Sequence, residues 1–132
     1  MGFREGQVQR FISQYIVTAL WSETDGPEQC PEPLDSQGFD RSDLSPDLLA
    51  ELEVDCRAFL DSYYPLVAEA VKRRGYEIGS AGHDFLLTRN GHGAGFWDRG
   101  LGQLGDKLAE AARSFGGTTW YVGDDHMIHG CG

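Results

Sequence analysis

"HDFLLTRNGHGAGFWD", His83 to Asp98, is the stretch whose reading decides the fold. Asn90-Gly91 is the dipeptide most favoured in two-residue hairpin turns, because both residues accept a positive φ at small cost. Short apolar runs, "DFLLTR" and "GFWD", flank it. The pattern predicts a β-hairpin. With Asn90 and Gly91 at the centre of the turn, Arg89 faces His92, Leu87 faces Ala94, Phe85 faces Phe96 and His83 faces Asp98. A four-residue loop competes with this register, and a one-residue slip, eased by Gly91, Gly93 and Gly95, reverses every face.

Downstream, Gly100-x-Gly102-x-x-Gly105 opens a helical pattern and forms a nominal GxGxxG, with Asp124 beyond it. A dinucleotide fingerprint needs a buried parallel strand directly before its first glycine. Asp98 and Arg99 stand there instead, and only 27 residues follow Gly105. Nucleotide binding is set aside, and the glycines are assigned to chain reversal and close helix packing. The helix itself carries Leu101, Leu104, Leu108, Ala111 and Phe115 on one face. "TTWYVGDDHMIH" then reads as a strand, a turn at Gly123 to Asp125 and a short returning strand.

Upstream, Val8, Phe11, Ile12, Tyr15, Ile16, Ala19 and Leu20 recur at helical spacing and predict a helix over about 4–21. Residues 22–44 hold Gly26-Pro27, Pro31, Pro33 and Gly38 and read as a long polar loop. Ser45-Pro46 is a helix start. The apolar face Leu48, Leu52, Cys56, Phe59, Tyr63, Leu66, Val67, Ala70 runs through Pro65, so one kinked helix or two nearly collinear ones are expected over 46–74, with Gly75 at the C-terminus. The predicted class is α+β. Two N-terminal helices, a hairpin, a third helix and a C-terminal strand or hairpin form a small antiparallel sheet in a single domain, residues 1–132.

Charge is the most informative bulk property. The 132 residues include 21 acids and 11 Lys and Arg, a net charge of −10. Twelve acids lie between Glu23 and Asp61, opposed only by Arg41 and Arg57, so that segment carries the whole net charge. Direct binding to DNA or RNA phosphates is excluded as a default, since it would meet repulsion. The complement of such a segment is a basic or nucleic-acid-binding protein. The candidate partner-binding residues are Glu23, Asp25, Glu28, Asp35, Asp40, Asp43, Asp47, Glu51 and Asp55, with Trp97, Trp21 or Phe39 as apolar anchors. A plain solvated acidic surface is the simpler reading of the same residues.

Two other classes of function are carried alongside. A His83–Asp98 pair with His92 would orient an imidazole as general base or metal ligand, making a small metal-dependent or acid–base enzyme. A hydrophobic hairpin face would instead serve homodimeric assembly. The tail gathers Asp124, Asp125, His126, His129 and Cys131, but at no recognised metal-site spacing. No cofactor or metal is expected. Of Cys30, Cys56 and Cys131, Cys56 falls on a helix's apolar stripe and is expected to be a buried thiol. No apolar run approaches membrane-spanning length and no signal-peptide pattern opens the chain, so a cytoplasmic protein is expected.

From "GHDFLLTRNGHGAGFWDRGLGQLGDKLAEAARSFG" to "WYVGDD", the chain resembles a family of small acidic proteins encoded by tailed bacteriophages and integrated mobile elements. The resemblance covers about a third of the chain closely, and the "TALWSETD" and "PLD" segments more loosely. A glycine-containing turn follows "GDD" in the family pattern, where His126-Met127 stands here. The resemblance implies a setting in a bacterial host and no catalytic residue. In that setting small acidic proteins often bind and block a host protein, including nucleic-acid-binding defence complexes, which makes an anti-defence, anti-CRISPR-like role the expected one.

Overall fold

The computed structural model describes residues 2–25, 31–92, 95–96 and 99–131, and the side chain of Asp25 lies outside that description. The protein is α+β: helices carry the core and a small antiparallel ribbon closes one side. Helix α1 runs Glu5–Ser22, with its predicted apolar face buried. The 22–44 loop contains a two-residue pairing of β1, Thr24–Asp25, with β2, Glu32–Pro33. Two 3-10 turns follow, at Asp35–Gln37 and Arg41–Asp43. Leu34, fully buried, pins this loop to the core, a contribution of about 2 kcal/mol.

Helix α2, Pro46–Ser62, starts where Ser45 Oγ accepts from the Leu48 amide at 3.2 Å. A break at Tyr63 separates it from α3, Tyr64–Val71, whose first turn holds Pro65. These are the two helices the apolar stripe allowed. α5 spans Gln103–Arg113. The ribbon of β3, Thr119–Val122, and β4, Ile128–Cys131, is the predicted strand–turn–strand. It joins the rest through a bridge from Leu44 to Ile128 and a hydrogen bond from the Ser45 amide to the Ile128 carbonyl, 2.8 Å.

The hairpin predicted over His83–Asp98 is not formed. Residues Ile78–Arg89 are helix α4, and Asn90 is its C-cap. The Gly91 amide bonds the Thr88 carbonyl at 3.1 Å and the His92 amide bonds the Leu87 carbonyl at 3.0 Å. With Gly91 at φ +74°, this is a Schellman ending. The same freedom to take positive φ that suits a hairpin turn here stops a helix. The predicted cross-strand pairs therefore dissolve. Phe85 and Phe96 both reach the core, but through Phe59, whose ring centroid lies 4.3 Å from Phe85 and 5.8 Å from Phe96.

The glycines of the nominal GxGxxG do local work. Gly100 and Gly102 take positive φ, Gly102 as the N-cap of α5. A Cβ on Gly105 would stand 2.7 Å from the Phe96 carbonyl oxygen, so it permits close packing of α5 on the preceding loop.

In the β3–β4 turn, His126 is a non-glycine residue at φ 62°. Left-handed backbone costs such a residue about 1–2 kcal/mol. The exposed His126→Gly variant is therefore expected to be more stable by about 0.5–1 kcal/mol after glycine's own entropy is counted. Urea denaturation checks this as an increased midpoint.

Candidate functional site

The acids fall into two groups: those used by the fold and those left to solvent. Glu23, at the C-terminal end of α1, is half-buried. Its carboxylate accepts from Asn90 Nδ2 at 3.3 Å and from the Trp120 backbone amide. Burial raises its pKa above the ordinary carboxylate value, against the opposing effect of the Trp120 bond. Asp55 accepts from Arg89 Nη1 at 2.9 Å. These two predicted partner-binding residues therefore serve internal contacts.

A pH signature follows for Glu23. Below the usual glutamate range it is protonated in folded and unfolded chains alike. As pH rises through its raised native pKa, it must ionise in place and stability falls. Glu23→Gln is expected to be more stable than the parent chain at neutral pH, with the difference fading towards about pH 4. Denaturation midpoints at the two pH values provide the check.

The second group lies towards solvent on the 32–43 loop and α2. Asp40 caps a 3-10 turn, accepting from the Ser42 amide at 2.8 Å; its pKa is held down by the Ser42 hydroxyl and amide. Asp43 accepts from the Asp40 amide at 2.9 Å. Glu32, Asp35, Asp47, Glu51 and Asp61 are exposed. On α2, residues 47, 51, 54, 58 and 61 share the outward stripe, so Asp47, Glu51 and Asp61 flank Val54.

The two bases of this segment do not neutralise it. Arg57 Nη2 reaches across to Glu5 on α1 at 2.6 Å, and that hydrogen bond lowers the Glu5 pKa to about 2. Arg41 Nη1 lies 3.4 Å from Ser13 Oγ. Among the described residues, no ion pair engages Glu32, Asp35, Asp40, Asp43, Asp47, Glu51 or Asp61. Glu28, Trp97 and Asp98 lie outside the described residues. Of the other anchors, Phe39 is half-buried and packs on the core, whereas Trp21 is exposed.

The histidine constellation differs from the one predicted. His83 sits on α4 with Nδ1 3.1 Å from Asp84 Oδ1, its neighbour in sequence. Asp84 is 1% exposed. It accepts from Tyr76 Oη at 2.8 Å, from Arg99 Nε at 3.1 and 3.2 Å to its two oxygens, and from Arg99 Nη2 at 3.0 Å. This network ties the connection before α5 to α4. Nothing in the sequence distinguished Asp84 from the surface acids. His92 lies beyond the C-cap, outside the helix that carries His83. It borders a cleft of about 220 Å³ shared with Glu23 and Asn90, so the two histidines do not converge.

In the tail, His129 Nε2 lies 3.0 Å from both oxygens of Asp125, and its ring stacks on Tyr121 at 5.7 Å. Among the described residues, no three His, Cys, Asp or Glu side chains are grouped to hold a metal. Cys56 is buried, and burial pushes its thiol pKa well up. No helix among them is long and apolar enough to cross a membrane.

No family model matches the chain, and no curated protein or solved structure matches it.

Proposed function

We propose that the protein binds and blocks a basic, nucleic-acid-binding protein of a bacterial host, in the host cytoplasm, as an anti-defence, anti-CRISPR-like mimic of nucleic acid. The observation that carries this reading is the set of uncompensated carboxylates on the 32–43 loop and the outer face of α2. With Arg57 paired to Glu5 and Arg41 the one other base of the segment, these carboxylates leave the surface net negative. The field of such a surface steers towards sites built for phosphate and competes there. The resemblance to small phage proteins supplies the setting.

Neutralising Asp35, Asp47, Glu51 and Asp61 together, to Asn or Gln, tests the reading. All four are exposed and unpaired, so the fold is expected to persist. Affinity for the captured partner is expected to fall by about tenfold or more, and the dependence of binding on salt to flatten. Unchanged affinity and unchanged salt dependence would sink the mimic reading.

A further inference from the structure

One half-buried carboxylate of the fold sits in a cleft with no cation to balance it. Glu23 is the C-cap of α1. With Ser22, Asn90, His92, Thr118 and Thr119 it lines the cleft of about 220 Å³. Asn90 is the C-cap of α4, so two helix C-termini open into the same small space, and each carries the negative end of its dipole. No base lies in the last turn of α1. The base in the last turn of α4, Arg89, is engaged by Asp55, Tyr15 and the Phe115 and Gly116 carbonyls. Among the described residues no Lys, Arg or His pairs with Glu23, and the rest of the chain contains none. Burial accordingly raises the Glu23 pKa, as it does for a carboxylate held without a counter-charge.

We propose that this cleft is a subsite for a primary ammonium group, the head of a lysine side chain or of a small free amine. The carboxylate and the two dipole ends select a cation, and the other polar groups select which one. A divalent metal such as calcium takes about six to eight oxygen ligands, with several carboxylates among them; the cleft has one carboxylate. A guanidinium is recognised by a carboxylate whose two oxygens are open to its planar fork. Glu23 already accepts from Asn90 Nδ2 at 3.3 Å and from the Trp120 backbone amide. An ammonium needs one charged acceptor and can direct its other donors to hydroxyls, here those of Ser22, Thr118 and Thr119. Ser22 Oγ donates its own proton to the Ala19 carbonyl at 3.5 Å, which leaves its lone pairs for a ligand. The acceptor is also fixed in advance: Asn90 Oδ1 holds the Thr118 amide at 2.7 Å, so the amide that orients Glu23 cannot swing away. The site uses none of the carboxylates on the 32–43 loop or α2, so it stands or falls apart from the mimic reading.

The test is an NMR titration of the isotope-labelled full chain with Nα-acetyl-lysine methylamide and, separately, with butylamine, in salt that screens the net charge of −10. The expected result is a saturable shift confined to the amides of Glu23, Asn90, His92 and Thr118 and the Asn90 side chain. Binding of the lysine derivative assigns the site to a chain-borne lysine, and binding of butylamine alone assigns it to a free amine; either supports the subsite. The norleucine derivative, which lacks the ammonium, is expected to give no shift, and the arginine derivative to bind about fivefold more weakly or worse. Glu23→Gln, which is expected to be folded and no less stable at neutral pH, is expected to weaken binding by about tenfold or more. Asp47→Asn, on α2, is expected to leave it within about twofold. No saturable shift with either amine overturns the proposal. So do shifts scattered over the exposed acids, an affinity indifferent to Glu23→Gln, or norleucine or arginine derivatives that bind as tightly as lysine.

Discussion

Gly82→Ala is expected to lower the stability of the protein by about 2–3 kcal/mol. Gly82 sits on α4 where it crosses α1. A Cβ there would collide with the Phe11 carbonyl oxygen and stand 3.0 Å from its carbon and 3.2 Å from its Cα. Those atoms are backbone, so no side chain can swing aside and the helices must part. Phe11 is fully buried and its ring lies 5.8 Å from Phe85 and 6.1 Å from Phe59; separation therefore loosens the aromatic core. Alanine's better helix propensity returns only about 1 kcal/mol. Gly79→Ala, one turn earlier, is the control. Its Cβ would make an ordinary 3.8 Å contact with Gln14 Cβ, so it is expected to be neutral or stabilising by up to about 1 kcal/mol. Chemical denaturation of the pair decides the matter, and equal behaviour would refute a close α1–α4 crossing.

Arg89→Met is expected to cost about 3 kcal/mol. Arg89 is buried at the end of α4 and joins four parts of the chain. Its Nε donates to the Gly116 carbonyl at 2.8 Å, Nη1 to Tyr15 Oη at 3.1 Å and Asp55 at 2.9 Å, and Nη2 to the Phe115 carbonyl at 3.3 Å. The guanidinium carbon also lies 5.4 Å from the Phe85 ring centroid. Methionine keeps much of the packing but leaves those acceptors without their donor. Arg89→Lys retains the charge without the planar fork and is expected to recover less than half of the loss. Thermal or urea unfolding reads both; a Lys variant as stable as the parent would mean that charge alone matters.

The two variants also show what the sequence could and could not reveal. α1, α2, α3 and α5 each keep a polar face, so period and caps such as Ser45-Pro46 located them. The β3–β4 ribbon was legible from its alternation and its Gly-Asp-Asp turn. α4 was not, because it is buried almost all round, from Ile78 through Asp84 to Arg89. A helix without a polar face has no 3.6-residue signal, and a run such as Phe85-Leu86-Leu87 reads equally as a buried strand. Asn90-Gly91 then tipped the reading towards a hairpin, since hairpin turns and helix C-caps ask the same φ of glycine. The small residues Gly79, Ala81 and Gly82 were the contrary signal: they suit a close helix crossing and fill a strand poorly.

The acidic surface was legible for a different reason. Exposed carboxylates without an ion pair are what remains when one segment holds twelve acids and two bases. The exceptions were not legible. Glu23 meets Asn90, and Asp55 meets Arg89, across sequence separations of 67 and 34 residues. Such pairings are created by the fold and leave no local pattern. The same holds for Asp84, whose partner Arg99 lies 15 residues on, across the glycine-rich connection.

The most direct measurement is capture from a bacterial host lysate on the immobilised protein, followed by elution first with duplex DNA and then with salt. The expected result is a nucleic-acid-binding protein retained by the parent chain, released by DNA, and lost when Asp35, Asp47, Glu51 and Asp61 are neutralised. Retention that ignores DNA, salt and those four acids, or no retention by protein shown to be folded, would contradict the acidic-mimic function.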